Sequence, residues 1–553
     1  MQKRSDTHET TLSDITSQDM DTSQSSIESD YDDVEDLSFN PDSVEDSLTD
    51  TEGDEPCDIA KSLAEDRKFI VFEQQLDILL NCLTCPQCNS STSPDDTKKK
   101  TTDGTLLSVT TFCFNGHRIL QWDSQPCFGK MPAGNLLVSA AILISGLSYQ
   151  RISHFAMLLN LEFIGKSTYF LNQKNYVSPS INAAWEEEQR TIIQDNSRTT
   201  VNICGDGRCD SPGYSAKYCT YTVIDEESSK ILNFSLVQSS EVGSSSRMEK
   251  EGCKRVVDYL TSANININIL ATDRHVQIRS MLLKEYPGIK HQFDVWHFSN
   301  SIKKRLTQAA KKKGCEDLNP WIKSICNHLW WCAAQCEGDE QLLVEMWSSI
   351  GYHVANKHKF PRRFSKVKAC VHGPISREAE RKKKWMKMGS APHKALMSIV
   401  TDKRILKDIK HLSEFCHTGS LEVYHSMMTK YVPKRQEFDY EQMLARTQLA
   451  ALDHNANVGR AHRRNKNGDL QWRPVCPKAT NTWIVKKVYE EKSYEWAKQL
   501  IVSTLLQKIG HDKSVPVAST RTHHVNSLPK NIAPVPAPPK EDLLQRYQSR
   551  FQR

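Results

Sequence analysis

"NICGDGRCDSPG", residues 202–213, is where the pattern of the chain changes. Upstream, apolar residues recur at helical spacing. Here "TTVNICGD" (199–206) alternates like a strand and runs into two aspartates four positions apart among glycines. "AKYCTYTVID" (216–225) reads as a second strand, "EESSK" as a polar turn, and "ILNFSLVQ" (231–238) as a third strand returning along the second. Next come a helix in "RMEKEGCKRVVDYLTSA" (247–263), a strand in "INILATD" (267–273), a helix in "HVQIRSMLLKEY" (275–286) and a strand in "IKHQFDVWH" (289–297). Antiparallel strands followed by two helical crossovers predict an α/β fold, a mixed sheet with helices against its faces.

Asp206 closes the first of these strands and Asp273, in "ATDRH", closes the fourth. If those strands are neighbours, both carboxylates emerge at one edge of the sheet, close enough to share a divalent cation. Hard oxygen donors suit Mg²⁺ or Mn²⁺. A third carboxylate from a helix packed on that edge would complete a two-metal site, which clamps the attacking and leaving oxygens of a phosphodiester displacement. Glu422, in "CHTGSLEVYHS" (416–426), stands among apolar residues at a helix start and is the candidate. Asp210 is a rival for the first carboxylate, but it precedes Ser211-Pro212-Gly213, where a turn-forming aspartate is ordinary. Arg208 suits either a phosphate or an acidic partner.

Charge is unevenly spread over the 553 residues. Residues 1–58 hold nineteen Asp/Glu against Lys3 and Arg4, so a net charge of +5 overall leaves +22 on the remainder. A basic body fits a polyanion such as nucleic acid, or simply a well-solvated surface. The acidic tail is poor in aromatics and predicts disorder. Met1 leads straight into polar residues, which predicts no secretory signal. "NLLVSAAILISGL" (135–147) is too short and too polar to span a bilayer and predicts a buried helix. No membrane partner is expected. Seventeen cysteines without a secretory signal point to thiols and metal ligands rather than disulfides. "RKKKWMK" (381–387) and "HRRNK" (462–466) suit nuclear import or a solvated face.

Cys85-x2-Cys88 and Cys113-x3-His117 form two close doublets separated by a loop, the spacing of a zinc ribbon. Cys82 is an alternative ligand. A second zinc candidate combines Cys332 and Cys336 with His353 and His358, and Cys370 and His372 are further candidates. The alternative there is helical core thiols beside surface histidines. "SGLSYQRISHFAMLLNLEFIGKSTYFLNQ" (145–173) predicts two helices around a break near Gly165, as a helix-turn-helix or as plain helical packing. These features divide the chain into an acidic tail (1–58), a zinc-ribbon-like unit (60–130) and an α-helical region (131–195). A first core part (199–314), a helical insertion (315–410), a second core part with the Glu-bearing helix (411–510) and a Pro-rich tail (511–553) follow.

The order of elements resembles the RNase H-like fold, and the Asp–Asp–Glu order with an insertion before Glu resembles DDE transposases. "GDGRCDSPGYSAKY", "TDRH", "HQFDVWHFS", "HTGSLEVYHS" and "LDHNANVGRAHRR" resemble the Kolobok-like cut-and-paste transposases, over about residues 80 to 470. No THAP-like opening is visible. The resemblance implies a nuclear, homo-oligomeric DNA transposase acting on transposon ends and target DNA. Asp206, Asp273 and Glu422 would be its metal-binding triad. Asp206-Gly207 matches the Asp-Gly pair of related transposases, and Asp294 with His297 resembles their D-x-x-H element; the alternative is that Asp294 caps the following helix and His297 is a satisfied core histidine. Two alternatives stand beside it: a domesticated DNA-binding protein without catalysis, and a structure-selective nuclease.

Overall fold

The computed structural model describes residues 55–92, 98–196, 199–212, 215–373, 377–477, 481–510 and 538–547. Most of the acidic tail and most of the Pro-rich C-terminal segment lie outside the described residues. Helices α1 (Pro56–Glu65) and α2 (Glu73–Asn81) precede an antiparallel sheet of β1 (Lys98–Asp103), β2 (Leu106–Phe112) and β3 (Arg118–Asp123). A two-residue ladder of β4 (Cys127–Phe128) and β5 (Met131–Pro132) leads into α3 (Ala133–Ile144), the apolar run expected to be buried. Eight residues of α3 are buried, and no described helix is long and apolar enough to cross a membrane. Next, α4 (Tyr149–Leu158) and α5 (Lys166–Asn172) flank the break at Gly165. A π turn, Gln173–Val177, then joins α5 to α6 (Ser178–Asn196).

The centre is a five-stranded mixed sheet. Its strands are β6 (Thr200–Cys209), β7 (Tyr218–Asp225), β8 (Ile231–Gln238), β9 (Asn266–Thr272) and β10 (Lys290–Phe293), in the order β10-β9-β6-β7-β8. The first three pair antiparallel, whereas β9 joins β6 and β10 joins β9 in parallel. The crossovers carry α7 (Ser239–Val242), α8 (Ser245–Ser262) and α9 (Val276–Glu285). Alternation sends Ile203, Tyr221, Val223 and Leu270 to a core with α8 and α9. Cys204, Ile224, Phe234 and Ile269 go to the opposite face. All eight residues of β7 are buried, as a strand covered on both faces requires.

After β10 come α10 (Val295–Ala310), α11 (Ile322–Gln335), α12 (Glu340–His353), α13 (Arg377–Lys382), α14 (Ala391–Val400) and α15 (Lys403–Asp408). All of them but α13 contribute to a second apolar core running from Phe293 to Leu412, with Trp347 fully buried. The helical insertion therefore draws α10 into its core, ahead of the boundary expected at 315. Returning to the sheet, α16 (Gly419–Met428) and α17 (Tyr440–Asn457) cover the face opposite α8 and α9. An exposed hairpin, β11 (Trp472–Val475) with β12 (Ile484–Lys487), precedes α18 (Glu495–Ile509), which packs on α1, α3 and α6.

Candidate active site and metal centres

Strand register brings the acids together. The last β6–β9 pair is Gly205 with Thr272, and the last β9–β10 pair is Thr272 with Phe293. Asp206, Asp273 and Asp294 are each the next residue along, side by side where the parallel pairing of β6, β9 and β10 stops. One expectation needs correcting. Asp206 does not end its strand, because β6 continues to Cys209 against β7 alone. The carboxylate thus leaves a strand held on one side and open on the other.

The third acid comes from α16. Leu421, Tyr424 and Met428 are buried in the core, which leaves Glu422 and His425 one position on, together at the rim. His297 Nε2 lies 3.3 Å from Asp273 Oδ1 and 3.5 Å from Glu422 Oε1. His425 Nδ1 lies 3.5 Å from Asp206 Oδ2. One imidazole thus links Asp273 to Glu422, and a second meets Asp206. Apart from that contact with His297, Asp273 Oδ1 is buried and makes no hydrogen bond among the described residues. Burial, then the charge of Asp206, pushes the Asp273 carboxyl up to about 6, against the opposing influence of His297.

Asp294 plays a different part. It is buried and caps α10, accepting from the His297 N–H at 2.6 Å. Its other oxygen accepts from the Thr418 N–H at 2.6 Å and the Thr418 hydroxyl at 3.0 Å. Asp294 therefore fastens the start of α16 to the end of β10, aligning Glu422 and His297 without facing the cleft itself. Asp210 is committed elsewhere. Its two oxygens accept the Lys217 and Tyr218 N–H groups, both at 3.2 Å, and close the β6–β7 turn. Arg208 is buried and donates Nη2 to the Val432 carbonyl at 2.7 Å. A cleft of about 540 Å³ opens here, with Asp206, Glu422, His425 and Lys434 among its walls.

Two residues of this site escape sequence inspection. His425 is three positions beyond Glu422, a helical spacing that makes it findable in retrospect. Glu249, on α8, carries no such signal. Its side chain presses against Gly207, where an added Cβ would come within 2.6 Å of Glu249 Cγ. Burial first, then the charges of Asp206 and Asp273, pushes its carboxyl from 4.5 to about 8.

Cys85, Cys88, Cys113 and His117 are gathered with ligand atoms all within 4.8 Å of one another. Two knuckles hold them. Cys85 N–H donates to the Ser90 carbonyl at 2.8 Å over a turn in which Asn89 takes a positive φ of 52°. Cys113 N–H donates to the His117 carbonyl at 2.9 Å around Gly116, at φ 77°. Contacts with Ser90 lower the Cys88 thiol to about 5, and Cys88 and Cys85 raise the His117 imidazole. Cys82 stands outside this group and donates to the Ile78 carbonyl at 3.4 Å.

The second candidate set is regrouped. Cys332 and Cys336 sit in the apolar core of the insertion, where Cys336 donates to the Ser413 carbonyl at 3.3 Å and Cys332 lies 3.3 Å from His328 Nε2. Their x3 spacing is one turn of α11 facing that core, not a metal knuckle. His353 and His358 instead meet Cys370 and His372, again with ligand atoms within 4.8 Å.

No protein-family model matches the chain, and no curated protein sequence matches it. Among solved structures, a chain of a Drosophila P element transposase strand transfer complex aligns with 8% identity and a TM-score of 0.26. The alignment covers 60% of this chain and 93% of that one.

Proposed function

We propose that this protein is a Kolobok-like DDE DNA transposase with an RNase H-like core, cleaving and joining DNA phosphodiesters at Asp206, Asp273 and Glu422. The observation that carries this is the gathering of those acids around His297 and His425 where the parallel pairing of β6 with β9 stops. Their chemistry fits Mg²⁺ or Mn²⁺: three carboxylates offer hard oxygens, and their crowded like charges favour a cation. When bound, such ions lower the pKa of water and stabilise charge on a phosphoryl oxygen.

The chain's own residues then orient the reaction. His297 bridges Asp273 to Glu422, and His425 steadies Asp206. Asp294 pins the base of α16, and Lys434 on the cleft wall suits a DNA phosphate. The charge of +22 beyond residue 58 supports a DNA partner. Zinc on Cys85, Cys88, Cys113 and His117 would brace the N-terminal unit. Nuclear location and action as a homo-oligomer on transposon ends and target DNA belong to the same proposal.

The test is cleavage of duplexes carrying the inverted repeats that flank genomic copies of the coding sequence, with Mn²⁺ and purified full-length protein. Nicking and strand transfer are expected, and Asp206→Ala, Asp273→Ala and Glu422→Ala each remove both while DNA binding persists. A protein that binds these duplexes normally but never cuts them refutes the enzymatic assignment and leaves a DNA-binding protein. Cutting without joining identifies a nuclease.

A further inference from the structure

The insertion holds a group of metal-ligating side chains that phosphodiester chemistry does not use. His353 is the last residue of α12. Beyond it the chain turns at Asn356, whose φ is +56°, and forms a narrow antiparallel hairpin. Lys359 bridges Ala369, Phe360 N–H donates to the Lys368 carbonyl at 2.9 Å, and Cys370 N–H donates to the His358 carbonyl at 2.9 Å. That pairing sets Cys370 beside His358 and returns His372 toward the end of α12.

The rings are arranged as a ligand set requires. Their centroids lie 5.2 Å (His353–His358), 5.3 Å (His353–His372) and 4.9 Å (His358–His372) apart, with interplanar angles of 80°, 82° and 83°. His358 Nε2 lies 2.8 Å from Asn356 Oδ1, a pure acceptor, so Nε2 carries the proton. Asn356 in turn donates to Glu380 Oε1 at 2.5 Å. The other nitrogen, His358 Nδ1, is buried and has no hydrogen-bond partner among the described residues. His372 Nδ1 lies 2.8 Å from the Gly373 carbonyl, which assigns its proton likewise and leaves Nε2 free to coordinate. Cys370 Sγ stands 3.5 Å from His353 Nδ1.

An orphaned, buried imidazole nitrogen is costly unless something accepts its lone pair. Metal-ligating histidines characteristically tie their other nitrogen to a carbonyl or carboxylate. Both conditions hold here, in a chain of contacts from His358 through Asn356 to Glu380. We propose that His353, His358, Cys370 and His372 bind one Zn²⁺. A thiolate with three imidazoles suits zinc rather than Mg²⁺, and four protein ligands leave no open position for catalysis. The ion clasps the 358–370 hairpin to the end of α12. In doing so it fixes one wall of a cleft of about 510 Å³ that also includes Trp321, Trp331 and Lys383.

The experiment measures bound zinc in the full-length protein by elemental analysis, comparing each variant with the unmodified chain. Whatever the N-terminal group holds, Cys370→Ser and His358→Ala are expected to lose one further equivalent, whereas Cys332→Ala and Cys336→Ala lose none. His372→Ala, at an exposed position, reads the same ion with little risk to the fold, and its zinc is expected to be stripped by weaker chelators. His358→Cys supplies another zinc ligand and should restore full loading. A Cys370→Ser protein with unchanged far-UV circular dichroism and undiminished zinc overturns the proposal. So does an unmodified chain whose zinc vanishes entirely with Cys85→Ser.

Discussion

Glu249→Gln isolates the electrostatic cost of building the acidic site. A carboxyl moved from 4.5 to about 8 corresponds, at 1.36 kcal/mol per pH unit, to about 5 kcal/mol. Partial exposure and screening reduce the expected effect to about 2–3 kcal/mol. The sign follows from proton linkage. Below pH 4.5 the carboxyl is protonated in both folded and unfolded chains, and its contribution to stability is fully present. Between 4.5 and 8 the unfolded chain has released the proton that the folded chain keeps, so stability falls as pH rises. Burial of the carboxyl is the largest cause, followed by the charge of Asp206, that of Asp273 after β9, and Cys209. Glutamine resembles the protonated form and does not titrate. In metal-free buffer, urea unfolding followed by fluorescence should show a flatter dependence for Glu249→Gln from pH 5 to 8, with the variant the more stable at pH 8. Mn²⁺ should narrow that gap by offsetting the charges of Asp206 and Asp273. Parallel pH profiles for the two proteins would refute the electrostatic account.

Gly207→Ala places a methyl 2.6 Å from Glu249 Cγ and should cost about 1–3 kcal/mol, visible as a lower melting temperature. Asn455 accepts the Ile231 N–H at 2.7 Å and donates to the Ile231 carbonyl at 3.1 Å. Asn455→Ala removes both of these bonds, a loss of about 2 kcal/mol, and should speed amide exchange at Ile231. Chelation, or Cys88→Ser, should open residues 82–123 to limited proteolysis while the central sheet stays protected, because the metal would be the main tie between the two knuckles.

Much of the architecture was legible because its signals are local. Alternation in "ILNFSLVQ" and the apolar run at 135–147 are encoded within a few residues, and they correspond to β8 and α3. The doublets Cys85-x2-Cys88 and Cys113-x3-His117 were visible because a knuckle needs its own turn residues nearby. "LDHNANVGRAHRR" is quotable as a string, yet its polar residues serve packing. Asp453 takes a hydrogen bond from Tyr431 at 3.0 Å, His454 meets the Ser229 carbonyl at 2.8 Å, and Asn455 caps the start of β8.

Spacing misled at Cys332 and Cys336. An x3 interval means one face of a helix as readily as a ligand doublet, and only the insertion's packing separates the two. Glu249 was invisible for a related reason, since "RMEKEGC" offers two glutamates and nothing local says which one the sheet covers. The sequence by itself determined the order of strands and helices, the charge of the body and the doublets of the first knuckle pair, all properties of short windows of chain. Tertiary structure alone decided that β6, β9, α8, α10 and α16 deliver Asp206, Asp273, Glu249, His297 and Glu422 to one place. It also decided that Cys370 rather than Cys332 stands beside His353. Strand register and helix packing set those distances, and both depend on contacts between residues far apart in the chain.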